Sequence, residues 1–346
     1  MLSNFLVYLP DRYDHQPRLL PYVLSFISDD SPDIQRKALY CIEECGLQYE
    51  YEHPDDVIER RQFGVDGDDT IDYDINLPTP FLNRPNLGAR MFVRANTCRI
   101  FLAVLNELSN WREQTRKRSA ELLLILTVYC EEHLTKDFHH TIASVAKAIT
   151  VEKSSEIGND HLKILDILKR VLRLMAKFID PASYMPLICP RISSGSSSAT
   201  SYSEDGHHSE RSRSIHATIL QSLIEGAPLR RLVLHCVSLT TLLTNADCIG
   251  PYAGTQARHE CLSAFHALIV KLTSDDGDVV QDFVSYFANN EGDAAKLLSA
   301  LTSSGLALGQ LRDNHPIGED TKIVQECIDG QSKILAALTI DQESTK

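Results

Sequence analysis

The segment FLAVLNELSNWREQTRKRSA, residues Phe101–Ala120, passes from an apolar helix through a polar turn into the start of a second helix. Its apolar residues recur at the three- and four-residue spacing of a helix that faces a core. The earlier segment LLPYVLSFISDDSPDIQRKA, residues Leu19–Ala38, has the same order. Asp29 lies in the turn of the earlier segment where Asn110 lies in the turn of the later one. The two segments therefore repeat one helical hairpin.

The spacing of the two hairpins points to a repeat architecture. They lie about 80 residues apart, which is two units of the length typical of HEAT or armadillo repeats. Small residues, Ala38 and Ser119, follow the turns at the point where the two helix backbones of a hairpin must approach closely. Such hairpins bury their apolar faces only by stacking on one another. We therefore predict an all-α fold, a HEAT- or armadillo-like α-solenoid of stacked antiparallel helix pairs that wind into a right-handed superhelix.

HEAT repeats carry a further mark in the turn, an Asp followed six residues later by an Arg that ties neighbouring repeats together. Asn110 with Arg116 and Asp29 with Gln35 each match half of that pair. The same helical periodicity continues along the chain. It predicts helices that include Pro32–Tyr51, Leu87–Ser109, Arg112–His133, Ser155–Ile179, Ile215–Gly226, Pro251–Ser274 and Asp320–Thr339.

Two polar stretches interrupt the helices. One is rich in Asp, Gly and Pro, and the other consists almost entirely of Ser, Gly and charged residues, which bury too little apolar surface to order themselves. We predict an N-terminal HEAT-repeat lobe at 1–192 with an acidic loop insertion at 54–85, a disordered Ser-rich linker at 193–214, a C-terminal helical-repeat lobe at 215–341 and a tail at 342–346.

Composition excludes several classes of partner. The chain has 346 residues and a net charge of −13, whereas affinity for nucleic acid needs clustered Lys and Arg. The longest apolar run, Leu122–Cys130, is about half of the roughly 20 residues that cross a bilayer. Residues Met1–Asp11 lack the positive start of a signal peptide. We expect a cytoplasmic protein that binds neither nucleic acid nor membrane.

Candidate metal sites and disulfides are weak. The nine cysteines are odd in number and scattered, and several, such as Cys41 and Cys130, lie on apolar helix faces as small hydrophobic side chains. The acidic run Asp66–Asp74 fails as an EF-hand because Ile71 and Leu77 stand where the loop needs Gly and Glu. We expect buried thiols without disulfides, and no bound metal.

Motifs for catalysis are likewise missing from the sequence. It contains no phosphate-binding glycine loop, no dinucleotide fingerprint, no His-Glu-x-x-His zinc motif and no Gly-x-Ser-x-Gly nucleophile elbow. We expect a chain that is not an enzyme, with no catalytic residue and no cofactor. An enzyme with an unfamiliar site is the alternative from another functional class, and turnover by the pure chain would favour it.

One cluster stands out as a candidate partner-binding site: Trp111, Arg112, Arg116 and Arg118. Trp and Arg dominate the energetics of protein interfaces, so this cluster at the start of a helix is a possible hot spot. The alternative is structural. In that interpretation Trp111 fills the seam between repeats, and the stems of the basic side chains cover apolar surface.

The middle of the chain resembles a specific HEAT-repeat family, the axonemal dynein assembly factor of HEAT-repeat type. The resemblance rests on the order and spacing of several short segments and extends well from about Pro21 to Ile192. These segments are RPNLGAR at 84–90, VRAN at 93–96, ELSNW at 107–111, Arg116 with SAELL at 119–123, and YCEEHLT at 129–135.

This resemblance implies a cytoplasmic, non-enzymatic factor that helps to preassemble axonemal dynein arms before their transport into cilia or flagella. The implied partners are axonemal dynein chains together with chaperone or co-chaperone components. Periodicity alone supports only a protein-binding solenoid. The alternative is therefore another HEAT-type adaptor, such as a transport receptor or a phosphatase scaffold.

Overall fold

The computed structural model describes residues 2–63, 77–154, 160–193, 204–250, 253–273, 280–314 and 320–344. Within those ranges the chain forms α-helices and short 3₁₀ turns and contains no β-strand, so the all-α prediction is confirmed. The helices are α1 (Leu2–Tyr8), α2 (Arg12–Ser25), α3 (Pro32–Glu52), α4 (Pro54–Phe63), α5 (Leu87–Glu107), α6 (Glu113–Cys130), α7 (Phe138–Ser154), α8 (Asp160–Phe178), α9 (Pro181–Ser193), α10 (Glu204–Gly226), α11 (Leu229–Leu232), α12 (Cys236–Leu243), α13 (Ala246–Ile249), α14 (Thr255–Leu272), α15 (Gln281–Ala288), α16 (Glu291–Asn314) and α17 (Asp320–Ser344).

The chain divides into two compact units, Met1–Ile179 and Asp180–Lys346. This division differs from the predicted lobe boundary at 192. Helix α9 belongs to the second unit because it packs on α10 and buries Tyr184, Ile188 and Ile192. A change of composition marked the Ser-rich stretch as the boundary, whereas the packing changes at the Asp180-Pro181 turn before it.

The predicted insertion and linker are partly helical. Residues 54–63 form α4, and residues 204–214, which the sequence analysis assigns to a disordered linker, form the first turns of α10. Most of the predicted tail lies in α17, which ends at Ser344. The acidic run Asp66–Asp74 and residues 194–203 of the linker lie outside the described residues.

In the first unit, helices that adjoin in sequence form the predicted hairpins, and the hairpins pack on one another. Helix α2 pairs with α3, α5 with α6, and α7 with α8. Helix α5 also packs on α3, and α6 on α8, so each hairpin covers the apolar face of the next. The core consists mainly of aliphatic side chains, with Tyr129, Phe101 and Phe138 as its largest members.

The turns share one hydrogen-bonded pattern. The side-chain oxygens of Asp29, Asn110, Asp180 and Asn245 each accept a hydrogen bond from the backbone N–H two residues later, at 2.9, 2.9, 2.8 and 3.3 Å. Asn and Asp are favoured in turns because their side chains close the backbone in this way. The same local contact therefore precedes four helices, in both units.

The predicted match between Gln35 and Arg116 is confirmed by a second shared contact. The Gln35 side-chain amide donates to the Asp29 carbonyl oxygen at 2.7 Å, and Arg116 Nη1 donates to the Asn110 carbonyl oxygen at 3.1 Å. Both bonds reach back six residues and satisfy a carbonyl of the turn. The register of the two hairpins in the sequence is therefore the register in the structure.

Two glycines mark the closest approach of helices in the first unit. A Cβ atom added to Gly46 of α3 would lie 2.2 Å from the backbone nitrogen of Ala89, and one added to Gly88 of α5 would lie 2.2 Å from the carbonyl oxygen of Gly46. The Gly88 N–H also donates to Glu50 Oε1 at 2.8 Å. Backbone thus packs directly on backbone where α3 crosses α5.

A buried ionic cluster joins α5 and the segment just before it to Glu131, the residue that follows α6. The Glu131 carboxylate accepts from Arg84 Nε and Nη2 at 2.8 Å each, from Arg90 Nη1 at 3.1 Å and from Arg94 Nη2 at 2.8 Å. Glu131 has a φ of 50°, which is rare for a residue with a side chain. Its side chain is only 1 % exposed. The cluster therefore holds a strained residue at the end of α6.

In the second unit, α14 is the central helix, packing on α10 and on α17, while α12 packs on α16. All nine cysteines of the chain are free thiols, and seven of them are buried, including Cys41 and Cys130 as predicted. Burial raises the pKa of Cys130 to about 11 and that of Cys236 to about 12. These thiols act as small apolar side chains of the core.

None of the described helices combines the length and the hydropathy needed to cross a bilayer.

Candidate functional site

The candidate cluster lies at the turn between α5 and α6, which is closed on both sides by Asn110. Asn110 Oδ1 accepts from the backbone N–H of Arg112 at 2.9 Å, and Asn110 Nδ2 donates to Glu107 Oε2 at 2.6 Å. Helix α6 then begins at Glu113. Because the turn is held by side-chain hydrogen bonds, the residues on it are presented from a fixed backbone.

Trp111 projects from this turn into solvent. Its side chain is 80 % exposed, and the Arg112 guanidinium carbon lies 4.6 Å from the centroid of its ring. This separation is within the range of a cation–π interaction. The interpretation in which Trp111 fills the seam between repeats is therefore wrong, because the ring lies outside the packed helices. Trp111 and Arg112 form an exposed aromatic-cationic pair.

Arg116 has a different role from its neighbours because it is buried. Its Nε donates to Glu152 Oε1 of α7 at 2.6 Å, and its Nη1 donates to the carbonyl oxygens of Asn110 and Trp111 at 3.1 and 3.3 Å. These bonds use the guanidinium within the chain. Arg116 therefore holds the turn in place from inside the chain. We assign it this structural role and not the predicted contact with a partner.

Arg118 is exposed and lines a groove between α2 and α6 with a volume of about 350 Å³. Exposed rings of Tyr22 and Phe26 form one wall. Lys117 and Glu121 of α6 lie 3.9 Å apart on the other wall. Burial raises the pKa of the Glu121 carboxyl, against the lowering effect of the Lys117 ammonium. The groove is amphipathic, with both signs of charge.

The arrangement suits protein contacts. Exposed Trp and Arg on a fixed backbone are the residue types that anchor interfaces, and the adjoining groove offers apolar walls with charged rims. Within the described ranges, no group of three or more His, Cys, Asp or Glu side chains is placed to hold a metal ion.

The chain matches two protein-family models. Residues 76–289 match the model described as "Dynein axonemal assembly factor 5, HEAT-repeat domain". The chain belongs to the dynein axonemal assembly factor 5 family. Residues 1–60 match a second model, described as "Dynein axonemal assembly factor 5-like, TPR repeats".

Curated members of the dynein axonemal assembly factor 5 family from three vertebrates are similar to this chain. The mouse protein (Mus musculus) is 26% identical over 70% of this chain and 25% of its own length. The human protein (Homo sapiens) is 24% identical over 71% of this chain and 25% of its own length. The frog protein (Xenopus laevis) is 23% identical over 71% and 26%. The chain spans about a quarter of the length of these relatives.

The match to the dynein axonemal assembly factor 5 family reaches further than the sequence analysis predicts. The resemblance read from the sequence extends well only to about Ile192, whereas the HEAT-repeat match continues to residue 289 and so includes α10, α12 and α14. The hairpin at Leu19–Ala38, which we predicted as a HEAT repeat, lies in the part that matches the family's TPR model.

A second exposed surface, on α3, was not predicted. Tyr40, Leu47 and Tyr51 of α3 are all exposed, although α3 was predicted correctly as a helix. Their spacing of seven and four residues places them on one face, and that spacing was the available signal. Helical spacing shows that apolar residues share a face of a helix, but it does not show whether that face is buried or exposed.

Proposed function

We propose that this chain is a non-enzymatic, cytoplasmic scaffold that assists the preassembly of axonemal dynein arms for motile cilia or flagella through protein–protein contacts. The observation that carries the proposal is the family match over residues 76–289. The mouse and human relatives, which match about 70% of this chain, bear the name dynein axonemal assembly factor 5. Stacked helical hairpins support a scaffold role because they present long, continuous surfaces to partners.

The proposed partners are axonemal dynein chains and chaperone or co-chaperone components. Trp111 and Arg112 are the residues we propose as an anchor for one of them, with Arg118 and the groove beside it as a further contact. Their support is the exposure of the Trp111 ring and the stacking of Arg112 on it at 4.6 Å. Arg116 contributes indirectly by fixing the carbonyl groups of the turn.

The test is affinity purification of the tagged chain from the cytosol of a ciliated cell, followed by mass spectrometry. Dynein heavy or intermediate chains together with chaperone components are the expected companions. Their absence, with transport cargo or a phosphatase catalytic subunit in their place, would replace the proposal by the alternative HEAT-type adaptor. Catalytic turnover by the pure chain, free of every companion, would contradict a non-enzymatic scaffold.

The double variant Trp111→Ser/Arg112→Ser is expected to bind its dynein-containing partners about thirtyfold more weakly. This is the effect of losing an interface hot spot worth about 2 kcal/mol. Thermal stability should be unchanged because the pair is exposed. The matched control is Leu306→Ser, an exposed apolar residue of α16 in the second unit. Equal recovery of dynein chains with the double variant and the control would remove Trp111 and Arg112 from the proposed site.

A further inference from the structure

Exposed aromatic side chains are concentrated at one end of the sequence. Among the described residues, eight large aromatic side chains are exposed, and seven of them fall between Phe5 and Tyr51. Trp111 is the eighth. Exposed aromatic clusters on soluble proteins mark interaction surfaces, because aromatic residues are enriched in interfaces. The first three helices therefore carry a surface that the family match does not explain.

Part of this surface is a continuous line along α3. Tyr40, Leu47 and Tyr51 are 67, 56 and 87 % exposed. At 100° per residue they lie within a stripe about 40° wide and about 16 Å long. Glu44, one turn after Tyr40, lies about 40° from it around the helix, so that the four residues together span about 60°. We call these four residues the α3 outer stripe.

The opposite face of α3 is buried in the core of the first unit. Ala38, Cys41, Ile42 and Cys45 are buried there, and Gly46 packs against α5. Helix α3 is therefore apolar on two faces, although only one of them has a packing partner among the described residues of the first unit.

Charge indicates what the outer stripe would bind. Residues 1–63 contain twelve acidic and six basic residues. Two pairs form within this segment, Arg12 with Glu52 and Arg36 with Asp33, and they leave the excess of six negative charges unchanged. The excess of six negative charges on the segment that carries the stripe favours cationic partners over anionic membranes, nucleic acids or a second copy of the same segment. The complementary occupant is a cationic segment of another protein.

The chain contains an internal example of the contact. The Arg12 guanidinium lies 4.7 Å from the centroid of the Tyr13 ring and pairs with Glu52, and the Tyr13 hydroxyl donates to the same carboxylate at 2.8 Å. Tyr40 and Glu44 place the same two side-chain types, a phenol and a carboxylate, one turn apart on the outer stripe. A partner arginine above Tyr40 would complete the arrangement that Arg12 completes above Tyr13.

We propose that the α3 outer stripe is a docking site for a cationic amphipathic helix of a partner protein. Arginine side chains of the partner stack on the rings of Tyr40 and Tyr51 and pair with Glu44, while its apolar side chains cover Leu47. This inference rests on the proposed scaffold function and adds to it the chemical class of one partner and the surface that holds it.

Binding can be tested with a defined probe, a synthetic amphipathic helix of about 14 residues, or four turns, with Leu on one face and Arg beside it. A second peptide carries Glu in place of every Arg. Fluorescence anisotropy should show binding of the Arg peptide and not of the Glu peptide. Affinity for the Arg peptide should fall when salt is raised from about 0.05 to 0.3 M, because the Debye length shortens.

Variants locate the binding surface. Tyr40→Ser/Leu47→Gln/Tyr51→Ser is expected to weaken binding of the Arg peptide at least about tenfold, and Glu44→Gln is expected to flatten its salt dependence. The control is Leu234→Gln/Leu306→Gln, which changes two exposed apolar residues of the second unit. Coincident circular dichroism melting curves would establish that the triple variant is folded.

Four results would overturn the proposal: undiminished binding of the Arg peptide to the triple variant, equal binding of the Glu peptide, a dimer in sedimentation that the triple variant abolishes, or capture of anionic lipid vesicles by the stripe. The outcome is separable from the proposed function. If the Arg peptide binds at the stripe but no dynein chain is recovered with the protein, the dynein role is wrong and the stripe stands as a docking site. If the triple variant still recovers dynein chains and the unmodified chain does not bind the Arg peptide, the docking role of the stripe is wrong and the dynein role stands.

Discussion

The variant Glu131→Gln is expected to lower the free energy of unfolding by about 3–5 kcal/mol, the usual cost of removing one partner from a buried ion pair. Glutamine keeps the shape of the side chain but leaves Arg84, Arg90 and Arg94 without the carboxylate that all three contact. Urea unfolding followed by far-ultraviolet circular dichroism measures the change.

The neighbouring residue provides the control for this prediction. Glu132 pairs with Arg94 at 3.3 Å and is more exposed than Glu131, so Glu132→Gln should cost about 1 kcal/mol or less. A midpoint for Glu131→Gln equal to that of Glu132→Gln would show that the cluster contributes no more than the single, more exposed Arg94–Glu132 pair. The strained φ of Glu131 adds a second comparison: Glu131→Gly should be more stable than Glu131→Ala, since glycine adopts φ of 50° without strain.

The variant Gly46→Ala is expected to destabilise the chain by about 3 kcal/mol or more, at or above the upper end of the overpacking range. The new methyl group would lie 2.2 Å from the backbone nitrogen of Ala89 and 2.6 Å from its Cα. Backbone atoms cannot turn aside as a flexible side chain can, so α3 and α5 would have to separate. The same unfolding experiment measures the effect.

Gly309 supplies a control of opposite sign. It lies inside α16, and a Cβ atom added there meets no atom within 4 Å. Gly309→Ala should therefore stabilise the chain by about 0.5–1 kcal/mol, because alanine is the better helix former. Equal effects of Gly46→Ala and Gly309→Ala would mean that α3 and α5 do not meet at these glycines.

Much of the fold could be predicted because helical periodicity and turn chemistry are local properties of the sequence. The prediction at Pro32–Tyr51 agrees with α3 to within one residue, and the Asp29 and Asn110 turns align as expected. Helices α1 and α4 were not predicted because they are short, with seven and ten residues. The crossing at Gly46 was missed because a glycine inside a helix gives no sign of which helix lies against it.

The candidate site was predicted less well, for a related reason. The sequence brought Trp111, Arg112, Arg116 and Arg118 together as one group, yet burial separates Arg116 from the rest. Its burial depends on Glu152, whose carboxylate approaches from a different hairpin. Tertiary partners of this kind decide whether a charged side chain faces a partner protein or the protein interior, and local periodicity carries no information about them.

The exposure of Trp111 has an optical consequence. It is the only tryptophan in the chain, so intrinsic indole emission comes entirely from the solvent side of one turn. That emission should resemble free indole in water and be quenched by acrylamide even in the native state. Denaturation would then be nearly silent in this signal, whereas a ligand that covers the turn would shift the emission to the blue and shield it. The chain therefore carries its own fluorophore at the surface where we expect a partner to bind.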